Sequence, residues 1–201
     1  MFAGKAIVVT GSGRGIGREI ALHCARLGAA VMVNDPGVSE RGEGADEGPA
    51  ASVVREIREQ GGRAEASIQS VAEWESAQKI IDDTIAAFGR IDGVVNNAGI
   101  LRDKIFHQLP PEDFDKVVKT HLYGSFYMSR GAAPHFRKQN SGAFVHFTSG
   151  SALIGNLAQA NYNAAKLGVV GLSKSIALDM ARFNVRSNCV SPTAMSRLTG
   201  T

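Results

Sequence analysis

Two hundred and one residues give room for one domain with a sizeable core, or at most two small ones. With 44% hydrophobic and 20% charged residues the chain has the balance of a globular protein rather than a disordered one, and a net charge of +3 is no electrostatic footprint for nucleic acid. No apolar run reaches the ~18 residues of a membrane span, and two cysteines far apart, Cys24 and Cys189, argue against a disulfide framework or a zinc site and for a reducing compartment.

Short β-rich runs alternate with longer helical patterns along the whole chain. Ala6–Thr10 reads as a buried strand close behind Met1, so no signal peptide is expected. The turn from Gly11 to Gly17 follows it. Ile16, Ile20, Cys24 and Leu27 then recur at helical spacing, with Gly28 at the exit. Ala30–Asn34 is a second strand, and the glycines and charges over 36–48 predict a solvated surface loop. A helix is predicted over about 50–60, a strand over 63–68, a helix over 73–88 and a strand from Ile91 to Asn96. Residues 112–139 read as one long helix whose apolar side carries Phe114, Val117, Val118, Leu122, Phe126 and Met128. Gly142–Thr148 is a strand, 159–183 helical, and Val185–Val190 the last strand. Six continuous apolar strands separated by helices predict a doubly wound parallel α/β sheet with helices on both faces. Residues 1–201 are expected to form a single domain. Its ending after Leu198-Thr199-Gly200-Thr201 looks unfinished.

The residues between these elements carry the chemistry. Thr10-Gly11-Ser12-Gly13-Arg14-Gly15-Ile16-Gly17 leaves a strand and opens a helix, so bare backbone and helix-terminal N–H groups can approach a pyrophosphate. Asp35, 18 residues beyond Gly17, ends the second strand, where a carboxylate accepts ribose hydroxyls and repels a 2′-phosphate. That predicts NAD, with NADP disfavoured; Arg14 beside the glycines pulls the other way. Tyr162 and Lys166 stand at i and i+4 on one helix face, where a cation is expected to lower the phenol pKa. Thr148-Ser149-Gly150 and Asn96-Asn97-Ala98-Gly99 end the fifth and fourth strands at the edge where open parallel sheets bind ligands.

Together these motifs resemble the short-chain dehydrogenase/reductase family in order and spacing, including a serine 13 residues before the tyrosine. The resemblance implies a Rossmann-like domain and an oxidoreductase acting on secondary alcohols or ketones. Ser149 would hold the substrate oxygen, Tyr162 would be the general acid/base, and Lys166 would bind the nicotinamide ribose. Cofactor contacts would come from Gly11, Ser12, Arg14, Gly15, Ile16, Gly17, Asp35, Ser70, Val71, Asn97, Ala98, Gly99, Tyr162, Lys166 and Ala194. The family's fourth catalytic residue, usually asparagine, falls at His121, which either holds a relay water or fills core. The family's Pro-Gly after the sixth strand is Pro192-Thr193 here. A further strand and a substrate-covering loop would be missing, so the chain is expected to be an incomplete form of a longer enzyme.

Asn34-Asp35 with its glycine loop, Asn97–Asp103, His121-Leu122-x-Gly-Ser-Phe and Gln159–Tyr162 resemble in particular the (3R)-hydroxyacyl-CoA dehydrogenase subgroup of this family. That resemblance implies a small-molecule substrate, an acyl-CoA, in a homodimer or homotetramer located in the cytoplasm, or in the peroxisome of a eukaryote, with neither nucleic acid nor membrane as partner. The competing expectations are an NADPH-dependent 3-oxoacyl-carrier-protein reductase and a non-catalytic dinucleotide-binding scaffold or sensor. His23, His107, His135 and His146 show no metal-ligand pattern and are expected at the surface or packed.

Overall fold

A computed structural model describes residues 1–44, 46 and 48–193. Six parallel strands, β1 (Ala6–Thr10), β2 (Ala30–Asn34), β3 (Arg63–Ser67), β4 (Gly93–Asn96), β5 (Gly142–Phe147) and β6 (Val185–Val190), form one sheet in the order β3-β2-β1-β4-β5-β6. β1 and β2 are buried at all five positions, as strands covered on both faces must be. Alternate residues face opposite layers. Ile7, Val9, Val31 and Val33 pack with Ala21 and Leu22 of α1 (Gly15–Arg26) and with Val53 and Ile57 of α2 (Gly48–Glu59). Val8, Met32, Val94 and Phe144 pack on the other face with Ile80 and Ile81 of α3 (Trp74–Phe88) and with helical residues Met128, Ala132 and Phe136. Each fully buried aliphatic or aromatic side chain contributes about 1.5–3 kcal/mol, so these two layers hold the sheet.

The predicted helix over 112–139 is three pieces: α4 (Pro111–Val118), a π-helical turn (Lys119–Tyr123) and α5 (Gly124–Gln139). Such a turn adds a residue that apolar spacing does not reveal. Val117 and Met128 are buried as expected, whereas Phe114 and Phe126 lie exposed. Two short elements escaped the sequence reading, a 3-10 turn at Phe106–Gln108 and α6 (Gly150–Ile154), before the long α7 (Ala160–Met180). The segment after β2 corrects a second expectation. It is not merely solvated: Leu101 N–H donates to Glu40 O at 2.8 Å, and Arg102 pairs with Glu43 at 3.0 Å. Among the described residues no helix is long and apolar enough to cross a membrane.

The strand order reverses direction between β1 and β4. At such a switch point the connections leave the sheet to opposite sides and open a crevice at the carboxyl ends of the strands.

Candidate active site

The glycine turn is locked into that crevice by the end of β4. Asn97 Nδ2 donates to Thr10 O and Gly11 O, both at 2.9 Å, while Thr10 Oγ1 accepts from Asn97 N and Ala98 N at 3.0 Å. Backbones this close leave no room for side chains. A Cβ on Gly17 would stand 2.2 Å from Gly11 O, and one on Gly11 2.8 Å from Ala98 Cα. Gly15 differs: it has φ +54° and meets nothing within 4 Å, so it opens to the crevice. Ser12 departs from expectation, because its Oγ donates to Val9 O at 2.7 Å and its amide to Asn34 O at 3.0 Å. Both of its donors turn inward, away from the crevice.

Asp35 closes one wall of the crevice. Its Oδ2 accepts from Gly13 N and its Oδ1 from Gly37 N, each at 2.8 Å, so two backbone amides orient the carboxylate. Arg14, the residue that argued for a 2′-phosphate, pairs with Asp46 at 3.5 Å. The crevice measures about 460 Å3 and is lined by Gly11, Arg14, Gly15, Ile16, Gly17, Asp35, Ser70, Val71, Asn97, Ala98 and Gly99 among others. This is the size of a small-molecule site. The first helical turn of α1 has no side-chain cap and no acidic residue, so its N–H groups remain for an anion. Bare Gly15, free helix amides and an oriented carboxylate fit a dinucleotide. Lys116 of α4 and Lys119 of the π-helical turn also line the wall, an addition that sequence spacing could not reveal. Ala194 lies outside the described residues.

The second half of the site comes from β5, α6 and α7. Ser149 caps α6, its Oγ accepting from Ser151 N at 3.3 Å and sharing a hydrogen bond with Ser151 Oγ at 2.9 Å. It also stands beside the Tyr162 phenol and pulls its pKa downward. One turn along α7, Lys166 Nζ lies 5.6 Å from the Tyr162 ring centroid and donates to Phe147 O at 2.6 Å. Burial pushes this ammonium down to about 7. The phenol does not follow the expected direction. Burial raises it above its ordinary value and the Asp103 charge adds to the rise, with Ser149 pulling the other way. The physical reason is that burial and the Asp103 carboxylate together outweigh the pull of Ser149, while Lys166 directs its donor at a backbone carbonyl.

His121 sits in the π-helical turn, buried, with its ring edge-on to Tyr162 at 5.2 Å. Its Nε2 meets both Ile100 O at 2.8 Å and Ile100 N at 3.1 Å, donating to the first in one tautomer and accepting from the second in the other, while Nδ1 has no partner. Burial first, then the Lys166 charge, lowers its pKa to about 3. Gly99 is required beside it, since a Cβ there would fall 2.3 Å from His121 Cε1. Behind the site His146 is packed, as expected, with Nδ1 3.2 Å from Asn96 Nδ2, and burial lowers its pKa to about 4.

The glycine turn, Asp35, Asn97 and the Ser149–Tyr162–Lys166 set are thus brought to one edge of the sheet. The arrangement can cradle a phosphate-linked ligand and exchange a proton with a bound oxygen. Comparison with known proteins gives the same picture. A family model described as short chain dehydrogenase matches residues 5–200. A short-chain type dehydrogenase/reductase of Mycobacterium tuberculosis is 50% identical over 195 residues, covering 97% of this chain and 68% of that protein. Mouse peroxisomal multifunctional enzyme type 2 is 45% identical over 200 residues, and there the chain spans 27% of the relative's length. Among solved structures, 7α-hydroxysteroid dehydrogenase complexed with NADH and 7-oxo glycochenodeoxycholic acid superposes with a TM-score of 0.88 at 31% identity, covering 96% of this chain and 72% of that one.

Proposed function

Because the chain belongs to the short chain dehydrogenase family, whose members are nicotinamide-dependent oxidoreductases acting on CH–OH groups, we propose that it is an NAD-dependent dehydrogenase interconverting (3R)-hydroxyacyl-CoA and 3-ketoacyl-CoA. The observation that carries the cofactor choice is Asp35. Its carboxylate is oriented by Gly13 N and Gly37 N on the crevice wall, where it accepts ribose hydroxyls and repels a phosphate ester. The acyl-CoA reading rests on the resemblance of segments 97–103, 121–126 and 159–162 to the hydroxyacyl-CoA subgroup.

Gly11, Gly15, Gly17 and the opening amides of α1 would hold the pyrophosphate, and Lys166 the nicotinamide ribose. When bound, the cofactor supplies the hydride acceptor. The protein's part is the proton. Ser149 Oγ and the ionised Tyr162 Oη hydrogen-bond the substrate hydroxyl, and as the C–H bond gives up its hydride the O–H proton passes to the phenolate oxygen, leaving a neutral phenol. Ser149 then steadies the new carbonyl. Lys166, lowered to about 7, carries its charge at and below neutral pH, where it favours the phenolate.

A panel of (3R)- and (3S)-hydroxyacyl-CoA, hydroxysteroid and simple alcohols, followed by NADH absorbance, tests the reading. The (3R)-acyl-CoA is expected to give the highest kcat/KM. A preference for the steroid, or turnover of neither thioester, contradicts the substrate assignment while leaving the family chemistry in place.

A further inference from the structure

The stretch that leaves β4, residues 99–104, runs between the two halves of the site and is bonded to both. Toward the cofactor wall, Leu101 N–H donates to Glu40 O at 2.8 Å and Arg102 Nη2 to Glu43 Oε1 at 3.0 Å. Glu40 and Gly42 of that loop line the crevice itself. Toward the catalytic helix, Asn161 Nδ2 donates to Arg102 O at 2.9 Å, and Asn161 Oδ1 accepts from Tyr162 N at 2.8 Å. Two more bonds reinforce this side, Lys104 N to Ala158 O at 2.8 Å and Gln159 Nε2 to Asp103 Oδ2 at 3.0 Å. Arg102 Nη1 reaches Asp113 of α4 at 2.6 Å, so one guanidinium joins loop and helix.

The burial of these groups separates their roles. The Arg102 side chain is 6% exposed and that of Asp113 14%, whereas the Glu43 side chain is 61% exposed. Asp113 is the buried counter-charge of the guanidinium, and Glu43 pairs with it from the exposed side. Glu43 is the outer jaw, on the loop whose Glu40 and Gly42 line the crevice. Asn161, fully buried, passes the position of the Arg102 backbone to the residue that bears the phenol.

We propose that Arg102 is a positioning residue that clips the adenosine-side loop to the start of α7, so that filling the adenosine end of the crevice orders Tyr162 for catalysis. This rests on the dinucleotide reading of the crevice. Contacts that order one segment lower the cost of ordering its bonded neighbour, and coupling through such chains typically alters an equilibrium severalfold.

ADP-ribose, which carries the adenosine end without the nicotinamide, separates the two halves. Amide hydrogen exchange over 158–166 is measured without ligand and at saturating ADP-ribose, with binding followed by calorimetry. In the unmutated protein saturation is expected to slow exchange there by about threefold or more. Glu43→Gln, at an exposed position, is expected to bind ADP-ribose yet lose most of that slowing, and to lower kcat more than it raises KM for the acyl substrate. Arg102→Lys, which keeps the charge but holds only one carboxylate at a time, is expected to fall between. Saturated binding with equal slowing in Glu43→Gln overturns the coupling and leaves the crevice assignment standing. Absence of ADP-ribose binding in the unmutated protein overturns the crevice assignment and the coupling with it.

Discussion

Asp35 is the residue whose removal separates cofactor choice from everything else in the site. It bears no part of the proton transfer, and its partners are two backbone amides that water can satisfy. The unmutated protein is expected to prefer NAD over NADP by at least about tenfold in kcat/KM, or about 1.4 kcal/mol. Asp35→Ala should shrink that ratio without abolishing turnover. An unchanged ratio would mean that the selectivity lies elsewhere on the wall, with Arg14, Lys116 and Lys119 the cations at hand. His121 allows a second test at this scale. Its Nε2 contacts with Ile100 N and O and its edge contact with Tyr162 are packing roles, while the unpartnered Nδ1 is a polar atom that a relay water would pair with. His121→Asn restores the family's usual residue, and an asparagine can both donate and accept. Steady-state kinetics should show activity retained within about tenfold. A complete loss of rate with an unchanged melting temperature would make the imidazole itself indispensable.

At the scale of elements, the turn between β1 and α1 makes a graded prediction. Gly17→Ala places a methyl 2.2 Å from Gly11 O and must displace the turn, so NAD binding and stability should fall together. Gly15→Ala meets no atom, but its φ of +54° costs an L-residue about 1–2 kcal/mol. Its melting temperature should drop modestly, while calorimetry reports weakened NAD binding because the methyl enters the crevice. The same elements show what was legible in the sequence. Ala6–Thr10 and Ala30–Asn34 were readable to the residue because a strand covered on both faces must be continuously apolar, whereas the half-exposed Val185–Val190 was readable from the helix before it and Pro192 after it. Gly11, Asp35, Asn97, Ser149, Tyr162 and Lys166 were legible because each stands at a strand end or on one helix face. The π-helical turn at Lys119–Tyr123 was not, since apolar spacing looks alike on either side of one inserted residue. Ser12 was misjudged because a hydroxyl in a glycine turn can face either way, and Val9 O was within its reach. The clip from Glu43 through Arg102 to Asn161 joins residues 59 apart twice over, a distance no local pattern spans.

Across the whole molecule, two buried imidazoles steepen the loss of stability in acid. His121 and His146 are held to about 3 and about 4 in the folded state, below the ordinary value of 6.5. Between those values the unfolded chain binds protons that the folded protein refuses, so stability falls as pH drops below about 6.5. Each histidine steepens that loss by about 1.4 kcal/mol per pH unit until its own folded pKa is reached. His146→Met, which removes the titrating ring and keeps an apolar filling, should flatten the fall in melting temperature between neutral pH and about pH 4, as thermal denaturation across that range would show. An unaltered slope would mean that His146 gains its proton without unfolding. These stability effects are separate from catalysis, whose central claim concerns a single oxygen. The most direct test is the rate of NADH formation from a (3R)-hydroxyacyl-CoA by the unmutated protein and by Tyr162→Phe, with both saturated in NAD as judged by calorimetry. Removing the phenol oxygen should lower turnover by about 100-fold or more while leaving NAD affinity within a few-fold; a Tyr162→Phe protein that keeps most of its activity would contradict the account.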